Sequence, residues 1–197
     1  MFGLPAQARV VGGLIRFAPE KDPWLWIETA AAIATTQPDT VFLLGGYGHG
    51  TIADSLLQKG RELGLSGRLF MPGVIRELGP FYGALDAFLL TSRLENLGHV
   101  LIEAQAAGVP VVAPAVGGIV ETMRDGVTCR LVIDRSAASL ATAMVDVLRD
   151  DRWRARATAK APRFVARKFS ERRMVKNMIA IYEGGGSKFW LLLGRPN

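Results

Sequence analysis

DAFLLTSRLENLGHVLIEAQAAGVPVVAP, residues Asp86 to Pro114, opens on a short apolar run, closes on another, and holds a helical pattern between them. DAFLL and VPVVAP are too short for helices and are bounded by turn residues, so both read as strands. Between them TSRLENLG has the composition of a loop, and HVLIEAQAAG that of a helix stopped by Gly108. Two strands joined through a helix pair in parallel by a right-handed crossover. Strands that are apolar almost throughout belong to a sheet covered on both faces.

The same rhythm extends in both directions. Upstream, ARVVGGLI (8–15) is a first strand, followed by the loop RFAPEKD and a helix opened by Asp22 and Pro23, a capping residue with proline in the first helical position. TVFLL and RLFM are two more strands, separated by a glycine-rich turn at GGYGHG and a helix through ADSLLQKGRELG. PGVIRE reads as a turn and GPFYGAL as a short helix leading to Asp86, while TCRLV supplies a sixth strand downstream. The fold class is α/β, a doubly wound parallel sheet of the Rossmann-like kind. Ligands of such sheets bind beyond the carboxyl ends of the strands, which directs attention to the loops after Ile15, Leu44, Met71, Leu90 and Pro114.

Past Asp134 the chain is helical, in three segments, and Pro162 is expected to kink or break the middle one. Residues 1–183 read as one domain. Residues 184–197 begin with glycines, carry SKFWLLLGRPN, and read as a flexible linker and tail.

A chain of 197 residues, 49% hydrophobic, can bury one sizeable core. No apolar run approaches the roughly 20 residues that cross a bilayer. The start MFGLPAQARVV has no secretory pattern, and the single Cys129 excludes an internal disulfide, so the cytoplasm is the expected location. The net charge of +6 is concentrated: Arg149 to Lys176 holds eleven Lys or Arg against three acids. A solvated helix face is the ordinary reading of such a block; the alternatives are phosphorylated ligands and peripheral contact with an anionic membrane, at its inner face. Nucleic acid is not expected, because no aromatic interleaving of the kind that stacks bases accompanies the block.

The chemistry centres on Glu95 and Glu103, one in the loop before a helix and one about a turn inside it. They flank a helix start at Leu97, Gly98 and His99, whose unpaired N–H groups suit phosphate or sugar oxygens. A carboxylate one turn on can accept two hydrogen bonds from a ribose diol. Arg16 and Lys21 are cations in the first βα loop. His99, in the first helical turn beside the two glutamates, reads first as a structural histidine and second as a site residue.

In the spaced pair of glutamates followed by EAQAAGVPVV, the chain resembles the retaining family 4 glycosyltransferases of the two-domain GT-B architecture. VGGLIRFAPEKD, FMPGVIRE, DAFLLTSR, GGIVETMRDG and RMVKNMIAIY carry the likeness up to about residue 183. The resemblance implies the C-terminal, donor-binding half of such an enzyme. It places Glu95 beside the donor sugar, Glu103 on the ribose hydroxyls, and Arg16 and Lys21 on the diphosphate. Gly73, Val74 and Ile75 fall where backbone groups hold the base, although PGV is also a simple turn. Gly12 and Gly13 fall where the first strand meets the diphosphate, or only permit close packing against the missing half. Glu121 matches a turn over the sugar or base. The implied substrate is a UDP-, GDP- or ADP-sugar, with no cofactor and no metal, since neither an Asp-x-Asp pair nor a His-rich cluster occurs. The implied acceptor is a glycan or lipid-linked sugar, and the implied partner an N-terminal acceptor domain or second chain. Two departures are Asn96, where many members have glycine, and Tyr47, in a turn where many have aspartate.

Two rival readings differ in class. A dehydrogenase domain shares the sheet, but Gly46, Gly48 and Gly50 follow the second strand with the wrong spacing for a dinucleotide fingerprint. A donor-binding fragment or partner subunit that catalyses nothing alone has the same site and is told apart by an uncovered apolar docking face.

Overall fold

The computed structural model describes residues 2–184. In chain order the elements are β1 (Arg9–Arg16), α1 (Pro23–Ala34), β2 (Thr40–Tyr47), α2 (Ile52–Glu62), β3 (Leu69–Gly73), α3 (Leu78–Gly83), β4 (Ala87–Leu89), α4 (His99–Ala106), β5 (Val111–Pro114), α5 (Ile119–Thr122), β6 (Cys129–Val132), α6 (Ala137–Arg149), α7 (Asp151–Lys168) and α8 (Glu171–Gly184). All six strands are parallel, in the order β3-β2-β1-β4-β5-β6. The winding therefore reverses between β1 and β4, and a crevice opens there at the carboxyl ends.

The α1 helix forms because Asp22 caps it, Pro23 fits its first turn, and Leu25, Trp26, Ile27, Ala30 and Ile33 give it a buried side. Trp26 meets Phe42 edge-on, with ring centroids 6.4 Å apart, and its indole N–H donates to the Leu89 carbonyl at 3.1 Å. Neighbouring residues of β1 face opposite ways: a side chain on Gly13 would strike Trp26, and one on Gly12 would strike Leu85. Both positions are closed by packing on the body of this chain.

Two local expectations change. GGY belongs to β2 rather than to the following turn, because Gly45 and Gly46 pair with Leu14 and Ile15. Only glycine fits: a Cβ on Gly46, at φ 148°, would lie 1.8 Å from the Ile15 carbonyl oxygen. Pro162 does not break α7, which is continuous from Asp151 to Lys168. Proline costs about 3 kcal/mol inside a helix. Trp153, Ala157, Ala161 and Val165, spaced by four, are all buried along this one, and each large apolar side chain buried contributes roughly 1.5–3 kcal/mol in return. The expected linker and tail lie outside the described residues beyond Gly184, where α8 ends.

Candidate functional site

Two loops meet over the crevice to form a cleft of about 490 Å3. Leu14, Ile15 and Arg16 come from the end of β1, Glu20 and Lys21 from the β1–α1 loop, and Leu94 to Val100 from the loop and first turn of α4. Arg16, Lys21, Glu95, Leu97, Gly98 and His99 are thus brought together. Glu103 lies one turn deeper in α4. Gly13 faces Trp26, and Val74 and Ile75 follow β3, two strands from β1; these three are not among the lining residues. Ile75 nonetheless approaches Leu14, a lining residue, across the bare α-carbon of Gly45.

The loops hold each other by charge. Lys21 Nζ donates to Glu95 Oε1 at 2.5 Å, and the Ser92 hydroxyl donates to the same oxygen at 2.9 Å. Glu95 is only 9% exposed, so this pair is largely out of water. Arg16, more exposed, pairs with Glu20 four residues on. At the start of α4, Gly98 takes the left-handed conformation at φ 65° and no side chain caps the helix, which leaves N–H groups directed at the cleft. Glu103 Oε2 accepts from the Tyr82 hydroxyl at 2.9 Å. Burial, together with the Glu103 charge, pushes the Tyr82 phenol upward, so it stays a donor.

Behind the cleft, Asp22 ties three loops. Its carboxylate accepts from Arg93 Nε at 3.0 Å, from Arg135 Nη1 at 2.8 Å and from the Leu25 N–H at 3.2 Å. The buried Thr91 hydroxyl donates to the carbonyls of Lys21 and Asp22, and the Arg93 N–H to that of Glu20. Burial alone would raise the Asp22 carboxyl, but the bonds from Arg135 and Leu25, with the charges of Arg93 and Arg135, hold it below its ordinary 3.8. A carboxyl held low in the folded state stabilises that state above its ordinary value, and the contribution is lost as pH falls through the folded value. Asp22→Asn is therefore expected to be less stable than the parent at neutral pH. Denaturation curves should converge as the pH drops below 3.8, and a constant gap down to strong acid would remove this account.

Sequence reading missed Glu20, Ser92, Tyr82, Arg135 and the pair Gly117 and Gly118. These glycines lie flat on the Glu95–Leu97 loop: the Gly118 N–H donates to the Glu95 carbonyl at 2.9 Å. They open the segment GGIVETMRDG, whose sequence carries the family likeness but no mark of the Glu95 loop that it touches. Glu121, in α5, directly follows this turn. Among the described residues no three His, Cys, Asp or Glu side chains gather as a metal site, and no helix is long and apolar enough to cross a membrane.

A family model described as "Glycosyl transferases group 1" matches residues 2–164. The D-inositol 3-phosphate glycosyltransferase of Mycolicibacterium smegmatis is 34% identical over 200 residues, covering 100% of this chain and 45% of that protein. The Vi polysaccharide biosynthesis protein VipC/TviE of Salmonella typhi is 35% identical over 130 residues, 66% of this chain and 22% of that one. The chain spans less than half the length of these curated relatives. Among solved structures, Anabaena HepE in complex with UDP and glucose superposes with a TM-score of 0.82 at 25% identity, over 91% of this chain and 49% of that chain. The C-terminal domain of the group 1 protein LpcC from Francisella tularensis shares the fold, with a TM-score of 0.73 at 24% identity over 83% of this chain and 87% of that one.

Proposed function

The chain belongs to the glycosyl transferases group 1, and from that premise we propose that it is the half of such an enzyme that holds the nucleotide-sugar donor. One observation carries the reading: the crevice between β1 and β4 sets Arg16 and Lys21 against the open start of α4, with Glu103 one turn below. Negative phosphate oxygens fit between the cations and the N–H groups, and Glu103 receives the ribose hydroxyls. Tyr82 occupies one Glu103 oxygen and leaves the other for the diol. The base then lies toward Val74 and Ile75, past Gly45. Gly13 acts behind this site, through packing.

Cleaving the bond from sugar to diphosphate builds negative charge on the departing group and positive character on the sugar ring. Cations and N–H dipoles fixed in advance stabilise the first, and the Glu95 carboxylate lies where it can face the second. In this proposal the charge is met without a metal, so a chelator leaves donor affinity unchanged. The diphosphate departs and the acceptor enters on one face, with retention. The acceptor, a glycan or lipid-linked sugar, is brought by an N-terminal domain or partner chain. Met174, Val175, Met178, Ile179 and Ile181 stand exposed on α8, an apolar face that nothing among the described residues covers and that supports such a second half. On the same ground, the chain by itself binds donor and transfers nothing. The reducing cytoplasm is the compartment we infer.

The test is a thermal-shift and calorimetry panel of UDP, GDP, ADP and their glucose conjugates. HepE, the relative solved with UDP, favours UDP as the first base to try. UDP at 100 times its Kd should stabilise the fold by about 2.7 kcal/mol. Tyr82→Phe should weaken UDP roughly tenfold by freeing the Glu103 carboxylate to rotate. No stabilisation by any nucleotide would sink the proposal.

A further inference from the structure

A second groove, of about 710 Å3, lies between the loop entering β6 and the flank of α7. That loop stands at the amino end of β6, whereas the donor cleft opens at the carboxyl ends of β1 and β4. In an all-parallel sheet these are opposite edges. One wall carries Arg124 and Val127; the other carries Lys160, Arg163, Phe164 and Arg167. Lys160, Arg163 and Arg167 are three and four residues apart, so they form a single stripe along the helix.

No carboxylate lines this groove. None of the four cations takes part in the ion pairs of the described residues. The acid nearest in sequence, Asp125, is turned into its own loop, where it accepts from the N–H groups of Gly126 and Leu131. Lys168 adds a fifth cation beside the groove, 5.8 Å from the centre of the Phe164 ring. Half-buried Val127 and Phe164 give an apolar surface between the charges. Like charges held this close on a rigid helix repel until an anion enters, and the apolar patch matches a ligand that is not wholly polar. A single-stranded nucleic acid would be met by a row of exposed rings on which to stack; the groove lining has one ring, half-buried.

We propose that this groove takes the phosphate headgroup of an anionic phospholipid at a membrane surface, with Val127 and Phe164 against the glycerol and upper acyl carbons. The site narrows the basic block of Arg149 to Lys176 to one stripe and its facing loop, and it is independent of the donor reading.

The test is co-sedimentation of the full chain with phosphatidylcholine vesicles, with and without phosphatidate. Binding is expected only with phosphatidate and should weaken as salt rises. The triple variant Lys160→Ala, Arg163→Ala, Arg167→Ala should bind about a hundredfold more weakly, at roughly fivefold per basic side chain. Arg152→Ala, Arg156→Ala, Lys176→Ala removes the same charge from exposed positions outside the groove and should retain most binding. An equal loss in both triples would overturn the proposal in favour of diffuse charge. Equal binding to uncharged vesicles would overturn it in favour of the apolar α8 face. Saturable binding of inorganic phosphate to the parent, lost in the first triple and without vesicle binding, would replace it with a site for soluble phosphate. UDP affinity, measured in parallel, should be the same in parent and both triples; it reports on the donor cleft alone.

Discussion

Lys21→Met should lower stability by about 3 kcal/mol and weaken UDP binding at least tenfold. The stability loss follows from Glu95, buried and bonded to Lys21 and Ser92: without the ammonium, a carboxylate is left out of water with one neutral donor. Breaking a buried pair by removing one member costs about 3–5 kcal/mol, and the partial exposure of Lys21 places this case at the low end. The binding loss follows from the missing cation, since a hydrogen bond to a charged group contributes about 1.5–3 kcal/mol. The two effects separate in Lys21→Met, Glu95→Gln, because replacing both members of such a pair is often close to neutral. The double variant should recover most of the stability and none of the affinity. Denaturant curves and calorimetry measure the two. Recovery of both would make Lys21 a structural residue and remove it from the donor site.

Gly118→Ala should cost about 1–3 kcal/mol and lower UDP affinity by roughly a hundredfold. Gly118 has φ −73°, which alanine adopts freely, so its own backbone is not strained. The obstacle is steric: a Cβ would stand 1.7 Å from the Asn96 carbonyl oxygen and 2.7 Å from its carbon. Both are backbone atoms, so no rotamer relieves the contact and the loop from Glu95 to Leu97 must move. Overpacking of this kind costs about 1–3 kcal/mol. A shift of about 1 Å in a group that positions a ligand can carry a hundredfold effect. Gly79→Ala serves as the control, because nothing lies within 4 Å of that position in α3. It should gain up to about 1 kcal/mol from helix propensity and leave affinity alone. Unchanged UDP binding in Gly118→Ala would mean that the β4–α4 loop does not set the site.

Some of the site was legible because its signals are local. Glu95 and Glu103 announce themselves by spacing across one helix start, and Arg16 and Lys21 by their place after the first strand. Glu20 stands in the same loop, yet nothing in RFAPEKD says that Arg16 would fold back onto it. Ser92 precedes Glu95 by three residues and looks like any loop serine. Tyr82 reaches Glu103 from a separate helix, and Arg135 reaches Asp22 from beyond the last strand. Such contacts join residues distant in the chain, and a hydroxyl or guanidinium carries no mark of its eventual partner.

By itself the sequence determined the winding of the chain: runs of apolar residues alternating with helical ones can bury their surface only as a covered parallel sheet. It determined also that two glutamates would bracket a helix start, because one short segment contains them all. Only the tertiary structure decided that Gly13 serves Trp26, that Gly118 seats the Glu95 loop, and that α7 passes through Pro162. Each of these depends on which surface of a distant element arrives at van der Waals distance, and that is fixed when all the layers pack at once.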